Sequence, residues 1–397
     1  MESSGIMAGG FTARHHWRKN AAVADLTTLL QSFVDERHVP GAVGLVASGD
    51  DVELAAVGTL DLEGTAAMTP DAIFRIASIT KPITAAAAML LVEDGAVALD
   101  DPISRWLPEL AEPMVVRRPD SPLDDVVPAA RPITVEDLQT FRAGWGFPSD
   151  FDLPAVQPLF TVLHQGPSSD DVPEPDAWVR ALAGIPLLHQ PGEGWLYNTC
   201  SDVLGVLVAR ASGRSLPEFL AERVFEPLGM KDTGFHVPAA SLDRLTTAYR
   251  PDGDTLVLSD PPSGAITRPP AFPAGAGGLV STAADWLAFG RMLLAGGEPL
   301  LSRESVRLMT TDHLTAQQRA YGELFLEGQG WGFGGSVDVV VREPWTLPGR
   351  YGWVGGTGTT AHVVPSTGTV AVLMTQREMT DPQSPPTMQA FWSYAAS

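Results

Sequence analysis

Apolar residues recur at helical spacing in AAVADLTTLLQSFVDERHV, where Val23, Leu26, Leu29, Leu30 and Phe33 form one stripe and predict an amphipathic helix. GAVGLVAS and VELAAVGTLDLEG then flank Gly49-Asp50-Asp51, the pattern of a β-hairpin. A helix is expected to start at Ala77 or Ser78 and to stop at Gly95. Pro82 falls in its first turn, where backbone N–H groups have no intrahelical acceptor. TVEDLQTF, DAWVRALAGI, SDVLGVLVARASG, SLPEFLAERVFEPLGM and STAADWLAFGRMLLAGG read as further helices. Residues 111–132 and 250–273, rich in Pro, Asp and Arg with little periodicity, read as long loops. Near the end TAHVVP and TVAVLMTQ surround Ser366-Thr367-Gly368, a second hairpin.

There is no internal repeat. Strands at both ends with helices between predict an α+β protein: a sheet built from both chain ends, flanked by helices, with a mostly helical part inserted. The expected division joins residues 20–77 to about 240–397, sets about 78–239 apart as the helical domain, and leaves 1–19 as a tail. The active site is expected between the two domains.

Composition narrows the functional classes. The 397 residues carry a net charge of −21, which argues against nucleic acid or an anionic membrane as partner, since both need a basic footprint. Cys200 is the only cysteine, so no intrachain disulfide and no multi-cysteine metal site can form, and a packed thiol is expected. The N-terminal stretch has no apolar core of a secretory signal, and no run approaches the roughly 18 apolar residues of a spanning helix. The cytosol is the expected compartment. His15-His16, two adjacent histidines on the tail, are weak metal ligands, and no metal or organic cofactor is expected.

The chemistry concentrates at Ser78-Ile79-Thr80-Lys81. Residues at i and i+3 share a helix face, so the lysine amine can reach the serine hydroxyl. A lysine partly removed from water there has a lowered pKa and can accept the hydroxyl proton. The chain holds three lysines against 23 arginines, so chance placement predicts about 0.2 such motifs. Arginine could not replace Lys81, because guanidinium keeps its proton near neutrality. A second proton carrier is required, and Tyr197, in a glycine-containing turn before an amphipathic helix, is the best placed of five tyrosines, with Tyr351 next. Gly355, Gly356 and Gly358 in WVGGTGTTAHVV allow close backbone approach, and an N–H from this strand edge can supply a second oxyanion donor beside that of Ser78.

Together these stretches resemble the serine β-lactamase and penicillin-recognising fold, and especially its class C-like esterase branch, the family VIII carboxylesterases. Ser78-Ile79-Thr80-Lys81 matches the first motif of that family in full. Tyr197-Asn198-Thr199 matches the tyrosine motif except that threonine replaces its final asparagine. Gly356-Thr357-Gly358 falls where Lys-Thr-Gly or His-Thr-Gly would stand, and Trp353-Val354-Gly355-Gly356 is similar to the tryptophan-glycine stretch of the esterase branch. FEPLGMKDTGF, AGAGGLVSTAADWLAFGRMLL and DLQTFRAGWG extend the likeness over about residues 22–378. The resemblance implies an antiparallel sheet and catalysis by Ser78, Lys81 and Tyr197. It places Trp353, Gly356, Thr357, Gly358, Thr359 and Asn198 around the oxyanion and the substrate.

The departures point away from penicillins. In β-lactam-cleaving relatives the cation of the third motif helps hold the substrate carboxylate, and Gly356 offers no charge. Thr199 lacks the amide that helps hold the acyl side chain. The expected activity is therefore hydrolysis of short, uncharged carboxylic esters, a small-molecule substrate, through an acyl-enzyme, with Trp353 as an apolar wall. The rivals are a β-lactamase, a D-amino-acid peptidase or amidase, an acyltransferase, and a non-catalytic ligand-binding relative. The intact Ser-Lys-Tyr set speaks against the last. No G-x-S-x-G occurs, so the nucleophile elbow of an α/β-hydrolase is not available.

Overall fold

A computed structural model describes residues 25–64, 66–166 and 172–397. The expected tail, His15-His16 and the first stripe residue, Val23, lie outside them.

The stripe that begins at Leu26 forms α1, Leu26–Asp35, capped by the Asp25 side chain accepting from the Thr28 N–H. The first hairpin follows as β1 (Gly41–Ser48) and β2 (Asp51–Gly58), turning at Gly49 with φ +58°. A seven-stranded sheet is completed by β3 (Gly330–Trp331), β4 (Ser336–Val337), β5 (Tyr351–Gly355), β6 (Thr359–Val364) and β7 (Thr369–Thr375) in the order β2-β1-β7-β6-β5-β4-β3. Every pairing is antiparallel, and Ala42 to Ser48 run against Thr375 to Thr369, so the first strand lies beside the last.

Both faces of this sheet are covered, which explains why TVAVLMT is apolar without a break. Val370, Val372 and Met374 of β7 enter the main core, where helix α4 (Ala283–Leu294) brings Gly290 close to Val370 and Val363. Ala371 and Leu373 face the other way, into a smaller core with Leu30, Phe33 and Phe391. Phe391 belongs to the C-terminal helix α5, Pro386–Ala395.

Between β2 and β3 the chain contributes no strand to the large sheet. Its centre is α2, Lys81–Glu93, whose residues Lys81 to Leu91 are all buried. A helix apolar on every side must be enclosed. It packs on α3, Thr199–Ser212, where Gly205 lies against Gly275, and a Cβ on Gly275 would stand 2.4 Å from Ser201 O.

Two corrections concern the segments expected as loops. Met114–Val116 pairs with Val126–Pro128, and Ala248–Asp252 pairs with Thr255–Asp260, each as an antiparallel ribbon. Neither has one face fully buried, so no alternation of apolar and polar residues marked them. The expected helix at Ala77 is also modified: Ala77–Thr80 is a 3₁₀ turn, and α-helical geometry starts at Lys81.

Candidate active site

Ser78 stands on that 3₁₀ turn. The residue before it, Ala77, has φ +43°, a left-handed conformation that costs alanine about 1–3 kcal/mol and persists only where surroundings enforce it. The enforcement is visible. The Ile76 N–H donates to Leu279 O at 3.0 Å, and the Leu279 N–H donates to Thr80 Oγ1 at 3.3 Å. From the sheet side, Thr357 and Thr359 donate their hydroxyls to Arg75 O and Ile76 O at 2.5 and 2.9 Å. These threonine hydroxyls therefore clamp the strand that leads to Ser78.

Gly355 is the residue that lets the two segments meet. A Cβ there would lie 2.4 Å from Ile76 O and 2.2 Å from Thr359 Oγ1. Gly356 is different, because a side chain added to it would meet nothing within 4 Å. Gly358 turns the chain with φ +89°, and its carbonyl accepts the Thr375 hydroxyl at 2.8 Å. The expected cation position is thus empty space beside an otherwise closed strand edge.

One helical turn on from Ser78, Lys81 is fully buried, with Nζ 2.8 Å from Ser78 Oγ and 2.7 Å from Ala276 O. Burial pushes its pKa down, partly offset by the charge of Asp202. Tyr197 completes the group. Its ring lies under Lys81 Nζ at 4.5 Å from the centroid, and Trp353 Nε1 donates to its Oη at 2.7 Å. Phe325 stacks on the ring at 4.6 Å. Burial pushes the phenol up to about 12, against the pull of the neighbouring Ser78 and Trp353 side chains. Near neutrality the phenol thus keeps its proton, while the Lys81 amine, lowered to about 7, stands between its two forms. Asn198, the next residue, has φ +81° and makes no capping bond, so strain flanks this side chain as it flanks Ser78.

The runner-up tyrosine is excluded by position. Tyr351 Oη donates to Phe333 O at 2.6 Å inside the core, and burial pushes its pKa far up. Cys200 is buried, with its thiol pushed up to about 12 by burial, as expected of a packed thiol. Among the described residues no cluster of three or more His, Cys, Asp or Glu could hold a metal, and no helix is long and apolar enough to cross a membrane.

Sequence reasoning missed one layer of the site. Asp202, on α3 five residues after Tyr197, accepts from the Ala276 N–H at 2.9 Å and from Gln165 Nε2 at 2.8 Å. Gln165 Oε1 in turn accepts the Thr199 hydroxyl at 2.7 Å, so an amide from elsewhere in the chain stands beside the threonine that replaces asparagine. Asp202 therefore fixes the residue whose carbonyl meets Lys81, and adds negative charge behind the amine. The signal was an acid on the otherwise apolar run Val203, Leu204, Val206, Leu207. Phe325 carried no signal at all.

With this geometry in place the comparisons are specific. A family model described as Beta-lactamase matches residues 26–388. The chain belongs to the beta-lactamase family. Protein Rv1367c of Mycobacterium tuberculosis is 39% identical over 87% of this chain and 88% of its own length. Esterase EstB of Burkholderia gladioli is 30% identical over 81% of this chain and 80% of its own. Among solved structures, EstCE1, described as a hydrolase with promiscuous acyltransferase activity, superposes with TM-score 0.78 at 25% identity, covering 93% of this chain and 97% of its own. In coarse terms this beta-lactamase-family chain is a serine hydrolase with esterase and acyltransferase relatives.

Two outcomes test the site's construction. Gly355→Ala is expected to lose about 1–3 kcal/mol of stability by urea denaturation, together with most activity, while Gly356→Ala stays within about twofold of the parent. Equal effects would refute the strand contact. Asp202→Asn keeps the shape and removes the charge that holds the Lys81 pKa up. The amine then loses its proton at lower pH, so the acid limb of the kcat/KM profile should move to lower pH. An unmoved limb with uniformly reduced activity would mean that Asp202 only supports the fold.

Proposed function

We propose that this protein is a carboxylesterase that cleaves short, uncharged esters through an acyl-enzyme on Ser78. One observation carries the reading: a serine hydroxyl bonded to a buried amine, Lys81, that itself lies over the ring of a half-buried phenol, Tyr197. Lys81, in the free-amine form that its burial makes accessible, takes the Ser78 proton as Oγ attacks the ester carbonyl. The backbone N–H of Ser78 and a second N–H from the glycine turn at 355–358 hold the oxyanion, not that of Thr359, which is buried between β5 and β7. Tyr197, favoured as the phenol, protonates the departing alcohol and is reprotonated through Lys81. Water then enters by the reverse route and releases the acid. No step calls for a metal or organic cofactor.

Substrate class rests on Gly356. A penicillin places a carboxylate beside the scissile amide, and burying it without a cation is costly. An ester carries no such charge, and its leaving group asks less of the general acid. The open space at Gly356 and its missing charge together support esters. The likeness to esterase EstB and to EstCE1, a hydrolase with promiscuous acyltransferase activity, favours the same reading, and the latter adds transfer of the acyl group to an alcohol in place of water.

A fluorophosphonate probe is expected to label the Ser78 peptide alone, and Ser78→Ala to lose both labelling and turnover with the fold unchanged by circular dichroism. Labelling elsewhere would reassign the nucleophile. On one preparation, p-nitrophenyl butyrate should be cleaved with kcat/KM at least about 100-fold above that for ampicillin, roughly 2.7 kcal/mol of discrimination. Comparable ampicillin turnover would show that an arginine reaches the site and replaces the missing cation.

A further inference from the structure

Gln165 is buried, and both ends of its amide are engaged. Oε1 accepts the Thr199 hydroxyl at 2.7 Å, and Nε2 donates to Asp202 Oδ2 at 2.8 Å. The Ala276 N–H donates to the other carboxylate oxygen, Oδ1, at 2.9 Å. On the far side of that residue Lys81 Nζ donates to Ala276 O at 2.7 Å and to Ser78 Oγ at 2.8 Å. Hydrogen bonds thus run from Thr199 to Ser78, interrupted only by the backbone of one residue.

We propose that Gln165 is a positioning residue for the proton-accepting step: oriented by Thr199, it holds Asp202 as a carboxylate behind the Lys81 amine and so sets how readily that amine gives up its proton. This role rests on the esterase reading, in which Lys81 is the base, and adds to it a residue that acts through Asp202.

The hydrogen count fixes which way the amide points. Turned over, Gln165 would set Oε1, which carries no hydrogen, against a carboxylate oxygen that carries none either. Asp202 therefore takes Nε2, and the Thr199 hydroxyl answers at the opposite end. No ion pair holds Asp202 among the described residues, so its charge rests on two N–H donors, the Gln165 amide and the Ala276 backbone. Burial pushes its pKa up, against the pull of the Ala276 N–H, the Lys81 charge and the Gln165 amide. Loss of one donor favours the neutral acid, and a neutral Asp202 no longer supports the ammonium form of Lys81. Tyr197 and Cys200, which also feel the Asp202 charge, are each pushed up to about 12 by burial and stay uncharged. Asp137, on the short helix Val135–Gln139 packed against α3, pairs with Arg131.

The test reads two pH profiles on the full chain: the rate at which a fluorophosphonate labels Ser78, and kcat/KM for p-nitrophenyl butyrate. Gln165→Leu is expected to move the acid limb of both to lower pH by about half a unit or more. Thr199→Val, which leaves Oε1 without its donor, should move both limbs the same way by less, and it serves if Gln165→Leu does not fold. Thr199→Ser keeps the hydroxyl and should leave both limbs where they stand in the parent. In an Asp202→Asn background Gln165→Leu should move neither limb further, because the carboxylate through which it acts is gone. Unmoved limbs with uniformly lowered rates, or a shift that adds to that of Asp202→Asn, would overturn the assignment and leave Gln165 a role in packing alone. Labelling of Ser78 without turnover of any ester would remove the esterase reading, and the labelling profile would still decide the role of Gln165. Failure to label Ser78 would remove the nucleophile, and this role with it.

Discussion

An amine taken wholly out of water, with no carboxylate in contact, is the constraint around which this molecule is arranged. Burying an ammonium without a paired charge costs several kcal/mol, and the cost falls if the group gives up its proton. Lys81 meets Ser78 Oγ and the carbonyl of Ala276, and the nearest negative influence, Asp202, acts on the far side of that residue. The surroundings thus set the amine between two states. Too little negative charge would leave it a free amine unable to return a proton, and a direct ion pair would fix it as ammonium. The helix that carries it is buried on all sides, which holds Nζ at one distance from Ser78 Oγ.

The same constraint accounts for the strain around it. Ser78 and Tyr197 must converge on a point beside the amine, and each is delivered by a neighbour with positive φ, Ala77 and Asn198. Neither neighbour is glycine. The conformation of Ala77 is enforced by bonds from the sheet and from the 276–280 segment to its neighbours, and the sheet bond exists only where Gly355 lets backbones approach. Rigidity at Ser78 is therefore a property of the assembled fold rather than of the turn that bears it.

Much of this was legible in the sequence. The helix stripe from Leu26, the two hairpins, the helix through Lys81 and the Ser-Lys-Tyr set all declared themselves, because each depends on local spacing or on a residue type that chemistry cannot replace. The ribbons at 114–128 and 248–260 did not, since half-exposed strands lack alternation. Glycines showed that a close approach was needed but not which one made it: Gly355 touches Ile76, whereas Gly356 touches nothing. Thr357 and Thr359 stood at the expected positions with their hydroxyls turned to backbone carbonyls. Asp202 and Gln165 act through contacts between distant parts of the chain, and no spacing rule encodes those.

The pairing of β1 with β7 has a further meaning for the order of assembly. Residues 42–48 find their partners at 369–375, so the sheet cannot close until residue 375 is free to pair. Helix α2 and its lysine can form early, but the β5 edge that clamps the 75–76 strand arrives among the last segments. A nascent chain thus carries Ser78 and Lys81 through some 270 residues of synthesis before the strand that clamps them is made.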